Sequence, residues 1–316
     1  MEMSPEYSLI VPVYNASSTI ETLVREIHQV FADQSFEVIL VNDGSSDESE
    51  EICARLVAEL PATVRLIQLT RNFGEHGAVL AGLHHARGNH AVVLDDDGQH
   101  PPAEALRLLE ELHRSGCDVV YGRYRIKHHD RWRNLGSRFN DWVATVLLKK
   151  PATLYLSSFK AMNRLVVDEV TRYRGAFPYL DGLILRTTRS IGQLAVEHRP
   201  RAAGHSAYGV TKLAEVWFNM FLNFSTLPLR LAALVGSLCA LGSVVLFGII
   251  IIDKLWLNPT VTVGVPTILL TVVFFGGVQL MILGAIGEYL GRLFLDQSGA
   301  PQFVVRYIKD GGAAHD

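Results

Sequence analysis

Several things are scarce in this chain of 316 residues, and each scarcity narrows its chemistry. Cysteine occurs only as Cys53, Cys117 and Cys239, without the spacing of a metal knot or a disulfide framework. A reduced catalytic part facing the cytosol follows. Net charge is also small: 29 basic against 32 acidic side chains leave −3. That balance argues against coating a polyanion, and no nucleic-acid partner is expected. Glycine-rich phosphate loops are missing, since neither GxGxxG nor a Walker sequence occurs, so dinucleotide and kinase readings lose their main support. No basic and apolar leader precedes the strand-like SLIVPVY at residues 8–14, so no secretory signal is expected.

Charge is scarcest in the last third. Leu231–Ile252 is a run of roughly 22 residues without a charge, enough for a helix to cross a bilayer core of about 30 Å. Val261–Ile286 is a second such run, with Asp253, Lys254, Trp256, Asn258 and Pro259 between the two. Two spans and a short turn predict a hairpin. Lys212, Arg230, Arg292, Arg306 and Lys309 flank the ends away from that turn. They predict a multi-pass protein of the inner membrane with its large domain in the cytoplasm. Two stretches carry aromatic stripes with basic companions, 131–147 and 210–224, as helices at a membrane surface do. For the first, packing against the domain's own core is an equal reading. The expected layout is a catalytic domain over 1–208, a juxtamembrane helix over 209–228, two spans over 229–294 and a C-terminal tail over 295–316.

Before residue 205 the pattern changes. Strand-like runs at Tyr7–Val13, Glu37–Val41, Val64–Leu69 and Ala91–Leu94 alternate with helical patterns at Ser18–Ala32, Glu48–Leu60 and Gly77–Ala86. The βαβα order predicts an α/β domain with a mostly parallel central sheet, whose ligands bind beyond the carboxyl ends of the strands.

The polar residues gather at those ends. The first strand leads into Pro12, Val13, Tyr14 and Asn15, the second into NDGSSD, and the third into Arg71-Asn72-Phe73-Gly74. In NDGSSD, Asp-Gly is a turn pair, and Ser46 or Asp47 suits a helix cap. Asp43 is left without a structural task and could accept a nucleobase hydrogen; Arg71 could meet a diphosphate beside it. The fourth strand runs into LDDDGQHPP, where Asp95, Asp97 and Gln99 share a loop that Pro101 and Pro102 close. Hard oxygen donors at this density suit Mg²⁺ or Mn²⁺, which bind through one or two carboxylates plus phosphate oxygens. A solvated acidic turn is the plain alternative from these residues alone. His84 and His85, adjacent on one helix, do not share a face and so do not suggest a zinc site.

VPVYN, VNDGSSD, RNFGEHGAVLAG, LDDDGQHPP, SSFKAMNR, RAAGHSAY and the paired apolar runs occur in that order. Together they resemble family-2 glycosyltransferases acting on polyprenyl phosphates, and most of all the undecaprenyl-phosphate formamidoarabinose transferases, over nearly the whole chain. The resemblance implies a GT-A fold, a nucleotide-sugar donor (UDP-linked by likeness), a polyprenyl-phosphate acceptor and a divalent metal. It assigns the donor to Pro12, Tyr14, Asn15, Asp43, Arg71, Asp95 and Asp96, and the metal to Asp97 and Gln99. Arg123, Arg125 and Arg138 correspond to cations near the acceptor phosphate, with Arg201 and Ser206 in the loop before the membrane. Asp95, Asp97 and those three arginines would form the catalytic set, together with Lys160, which stands where the family carries an arginine. A homo-oligomer through the membrane and C-terminal segments is compatible with the glycines of the apolar runs.

Three positions depart from that family: Ala16 replaces a Glu, Leu154 an Asp and Ala207 a Lys. They motivate a rival reading, a membrane-anchored scaffold that binds nucleotide-sugar or lipid without turnover. A transferase directed at sugar hydroxyls is a third reading; it predicts indifference to polyprenyl phosphate.

Overall fold

The computed structural model describes residues 4–124, 154–175, 178–197, 199, 265–297, 299, 301–310 and 313–315, with helical positions at 234–236, 238, 241, 242, 245 and 252. The chain divides into two compact units, Met1–Gly209 with Gly299–Asp316, and Val210–Ser298.

The first unit is built on a nine-stranded sheet. In chain order its elements are β1 (Tyr7–Val13), α1 (Ile20–Val30), β2 (Phe36–Asn42), α2 (Ser49–Glu59), β3 (Val64–Leu69), α3 (Glu75–His85), β4 (His90–Val93), α4 (Pro102–Ser115), β5 (Val119–Tyr124), β6 (Lys160–Asn163), α5 (Arg164–Thr171), α6 (Leu180–Thr187) and β7 (Ile191–Val196). After the second unit's helix α7 (Val265–Gln297) come β8 (Val305–Asp310) and β9 (Ala313–His315). The spatial order is β7-β5-β6-β4-β1-β2-β3-β8-β9. The central four, β4-β1-β2-β3, are mutually parallel. Antiparallel β6 flanks them on one side and antiparallel β8 on the other.

Alternation along the strands explains the layering. Leu9, Val11 and Val13 of β1, Val38 and Leu40 of β2, and Leu66 of β3 face one core, packed with Leu23, Val24 and Ile27 of α1, Leu56 of α2 and Leu108 and Leu109 of α4. Ile10, Ile39, Val41, Ile67 and Leu69 face the other, against Leu80 and Leu83 of α3, Val166 and Val167 of α5 and Ile184 of α6. Both faces are covered, so the central strands read as largely apolar runs, with Ser8, Arg65 and Gln68 as buried polar exceptions. Helix α3 lies close to the sheet because of Gly82: a Cβ there would come within 2.4 Å of Ile10 Cγ2.

The segment 295–316, expected as a tail, is corrected by β8. Its residues pair antiparallel with β3, Leu66 opposite Lys309 and Ile67 opposite Ile308. Arg65 of β3 reaches Asp310 at 2.6 Å, and Tyr307 Oη donates to Glu50 at 2.7 Å. The physical reason is that β3 would otherwise be an open edge, and VRYIKD carries enough apolar surface to cover it.

In the second unit α7 contains the window Phe274–Gly291, long and apolar enough to cross a membrane, with mean hydropathy 1.3 and none of it buried. Leu280, Leu283, Leu290 and Phe294 all stand exposed. Most of 231–252 and both amphipathic stretches, 131–147 and 210–224, lie outside the described residues.

Candidate active site

Reversal of the strand order beside β1 creates a crevice at the carboxyl ends of the parallel strands, where α/β sheets bind ligands. Four loops meet there, and backbone-to-side-chain bonds lock them together.

The first loop turns at Asn15, whose φ of 54° is left-handed; Asn tolerates this better than most residues. Its N–H donates to Ser45 Oγ at 3.0 Å, and its Oδ1 accepts from Ser46 N at 2.8 Å. Tyr14 N donates to Asp96 Oδ2 at 2.9 Å, leaving the Tyr14 ring half exposed over the crevice. Pro12 pairs in register with Val41.

Asp43 is buried and has a structural task after all, which corrects the expectation from sequence. Its carboxylate accepts from Phe73 N at 2.7 Å and Gly74 N at 2.9 Å. Gly74 is the N-cap of α3, so these are open N–H groups at a helix start, and an anion is what they attract. Burial raises the Asp43 pKa, and the two N–H groups and Arg71 pull against that rise. Gly44 completes the junction: at φ +65° its absent Cβ would stand 2.7 Å from the Arg71 carbonyl carbon. Asp47 accepts from Ser17 N and Ser49 N, both at 3.1 Å, thereby joining the second loop to the entrances of α1 and α2. Arg71 is exposed and stacks its guanidinium on Phe73, 4.2 Å from the ring centre.

The acidic loop is held from several sides. Asp95 Oδ2 accepts from Ser158 Oγ at 2.8 Å. Asp95 N donates to His100 Nδ1 at 3.2 Å, which places the neutral ring's proton on Nε2, 2.6 Å from Tyr124 Oη. His100 is itself buried and stacked on Phe159, with ring centres 4.5 Å apart. Asp97 Oδ1 accepts from Gln99 N at 3.0 Å, a tight turn that puts both proposed metal donors on one loop. Gln99 O accepts from Arg199 N at 3.0 Å.

Burial pushes the Asp96 pKa up to about 7, and Asp95 and Asp97 on either side add to the rise. Negative charge is therefore in excess in this loop, and the donors are hard oxygens, so a divalent cation fits. In chelator-treated protein the folded state holds the Asp96 proton more tightly than the unfolded chain. Stability therefore falls as pH rises from about 4 towards 7. Asp96→Asn keeps an acceptor for Tyr14 N and removes that penalty. The variant should be more stable than the parent by on the order of 2 kcal/mol near pH 8, with the gap closing towards pH 4. Thermal melts at the two pH values check this; equal gaps at both would refute it.

Two other expected residues are described, Arg123 and Lys160, on strands whose neighbouring residues reach this loop: Tyr124 bonds His100 and Ser158 bonds Asp95. Arg123 is exposed at the end of β5. Lys160, the cation that stands where the family carries an arginine, is part of a buried ion pair: its Nζ bonds Asp181 Oδ1, which also accepts from Tyr121 Oη at 2.9 Å. Arg125, Arg138, Arg201, Ser206 and Ala207 lie outside the described residues. Ala16 and Leu154, the departures that motivated the scaffold reading, are buried packing residues, one in each core layer. His100, Ser158 and Tyr124 were missed; a histidine directly after DDDGQ and before two prolines was the one available signal.

Comparison with known proteins agrees with this architecture. The profile described as Glycosyl transferase family 2 matches residues 8–172. The chain is 31% identical over 305 residues to an undecaprenyl-phosphate 4-deoxy-4-formamido-L-arabinose transferase of Pseudomonas aeruginosa, covering 95% of this chain and 89% of that protein. A protein of the same name from Yersinia enterocolitica is 30% identical over 311 residues, covering 97% and 94%. The structure of glucosyl-3-phosphoglycerate synthase from Mycobacterium tuberculosis in complex with UDP superposes with a TM-score of 0.50 at 20% identity, over 68% of this chain and 76% of that one. That last likeness is one of fold.

The fold and the profile together define a GT-A α/β transferase domain. The chain belongs to glycosyl transferase family 2 and is a glycosyltransferase.

Proposed function

We propose that this enzyme moves a sugar from a nucleoside-diphosphate donor, UDP-linked, to the phosphate of a polyprenyl lipid, undecaprenyl phosphate by likeness to its relatives. The observation that carries the reading is the Asp95–Gln99 loop, tied to Tyr14 and placed beside the Asp43 clamp at the strand ends. The relatives named for undecaprenyl phosphate match over 95% and 97% of the chain, which supports the acceptor.

The chemistry suits the residues present. A phosphate monoester has its second pKa near 6, so at pH 7 the acceptor is already a dianion and requires no general base. Its oxygen attacks the anomeric carbon as the bond from that carbon to the diphosphate oxygen breaks. In-line displacement inverts the centre and releases the nucleoside diphosphate. The protein's task is to bring two anions together and hold them aligned. Tyr14 and Asp43 frame the base and ribose, Arg71 faces the diphosphate, and Asp95 lies nearest the donor sugar. Asp97 and Gln99 would hold Mg²⁺ or Mn²⁺, which offsets diphosphate charge when bound. Arg123, with Arg125, Arg138, Arg201 and Ser206, would receive the acceptor phosphate.

The exposed apolar face of α7 supports a membrane anchor. With the charge-free run 231–252 it would form a two-span hairpin, keeping the catalytic unit at the cytoplasmic face.

A donor screen on detergent-solubilised protein with undecaprenyl phosphate and Mn²⁺ tests this. The expected product is lipid phosphate plus one sugar by mass spectrometry, lost on adding EDTA. Nucleotide binding with no lipid product from any donor would favour the scaffold; product on free sugars alone would favour a hydroxyl-directed transferase.

A further inference from the structure

The end of the sheet remote from the acidic loop carries a second cluster of metal-binding groups, and its donors are of a different kind. Glu6 immediately precedes β1, His90 opens β4, and His113 lies in the last turn of α4. Tyr7 is opposite His90 in the parallel register, and His90 N donates to Glu6 O at 3.1 Å, so the backbone fixes the first two side by side. The length of β1 separates them from the crevice by about 20 Å.

The three ligand atoms converge. Glu6 Oε1 lies 3.2 Å from His90 Nδ1 and 4.0 Å from His113 Nε2, and all three atoms are within 4.8 Å of one another. A tetrahedral ion with bonds of about 2.0–2.1 Å needs its ligand atoms roughly 3.3 Å apart. The remaining closure falls on His113, whose side chain is 45% exposed at a helix end.

Two features distinguish this cluster from an ordinary surface ion pair. His90 Nδ1 is fully buried and has no hydrogen-bond partner, although the Glu6 carboxylate is near; the two are out of line. A buried ring nitrogen without a hydrogen bond, beside a carboxylate and a second imidazole, is available to a metal ion. The outer support is also present: Asn89 Nδ2 donates to Glu6 Oε2 at 3.1 Å, and the Tyr7 ring packs against both imidazoles, 6.1 and 6.2 Å between centres. Partners of this kind orient metal ligands.

From this geometry we infer that Glu6, His90 and His113 form a second metal site, selective for a zinc-like transition ion and independent of the acidic loop. Two imidazoles and one carboxylate suit Zn²⁺, whereas the all-oxygen loop suits Mg²⁺ or Mn²⁺. A bound ion would tie the lead-in of β1, the start of β4 and the end of α4 in the folded state alone, and so raise the melting temperature.

The test uses tag-free, chelator-stripped full-length protein in detergent, titrated with Zn²⁺ by calorimetry and with Co²⁺ by visible absorption. One equivalent should bind with a Co²⁺ spectrum of low coordination number and a rise in melting temperature. Asp97→Ala should leave that equivalent in place. His113→Ala, which removes an exposed side chain, should weaken it roughly tenfold or more, and Glu6→Gln, nearly identical in shape, should do likewise. No binding at micromolar Zn²⁺, or unchanged binding in both variants, would overturn the site.

Discussion

Asp97→Ala should reduce lipid-product formation by about a thousandfold or more while the protein still inserts and melts close to the parent. The loss is expected to be large because the departing diphosphate gathers charge in the transition state, beside a loop rich in hard oxygen donors. Stability should change little because no core packing is lost: Asp97 is partly exposed, and it accepts a bond from Gln99 N within the same turn. Asp95 makes a poorer test, since its Oδ2 holds Ser158 and its N–H holds the buried His100. Removing one carboxylate also relieves its neighbour, so the raised Asp96 pKa should fall in the variant. Initial rates with saturating Mn²⁺ and a circular-dichroism melt decide the matter. Normal turnover in a folded Asp97→Ala protein would remove the metal role from this loop.

The central sheet was legible because it is buried on both faces. β1 and β3 run over 7–13 and 64–69, as their largely apolar runs predict, and β2 and β4 differ by a residue at each end. Helices α1 and α2 are shorter by one or two residues at each end than their apolar periodicity suggested, because turn residues at 16–19 and 47–48 take the first positions. The flanking strands were not legible. β6 is four residues long and contains Lys160, whose charge hides its burial until Asp181 is known to face it. β8 looked like a tail because nothing local reveals that β3 lacks a neighbour on that side.

The site divides in the same way. Loops after β1, β2, β3 and β4 could be read from turn chemistry and clustered carboxylates, each a local signal. What joins them could not. Tyr14 to Asp96, Asp43 to Gly74 and Asp95 to Ser158 are bonds across 82, 31 and 63 residues. Asp43 shows the consequence: seen alone it is a spare carboxylate for a ligand, and seen against α3 it is the anion that a helix start demands. The two uses are compatible, since a carboxylate holds about four lone-pair sites and the two N–H groups occupy two.

Asp181→Ala should destabilise the protein by about 3–5 kcal/mol, the largest stability effect expected of any single change described above. The substitution strands two groups at once. Lys160 is 2% exposed and loses its counter-charge, and the fully buried Tyr121 loses the acceptor of its hydroxyl. Stacking offers Lys160 little compensation, with Nζ 5.2 Å from the Tyr121 ring centre. Removing both charges is a different matter: Lys160→Met with Asp181→Leu leaves no uncompensated buried charge, so the double variant should recover the part of the loss that Lys160 causes, while the Tyr121 hydroxyl stays without its acceptor. The same double variant separates two roles for Lys160. As a buried positioning residue that braces β6 against α6, it should be dispensable for chemistry, with kcat within about tenfold of the parent once folding is restored. As a member of the catalytic set, which the family resemblance implies, its loss should lower kcat by about a hundredfold or more in a protein that melts normally. Urea melts and initial rates on the parent, the single variant and the double variant distinguish the two, and the burial of the pair predicts the first.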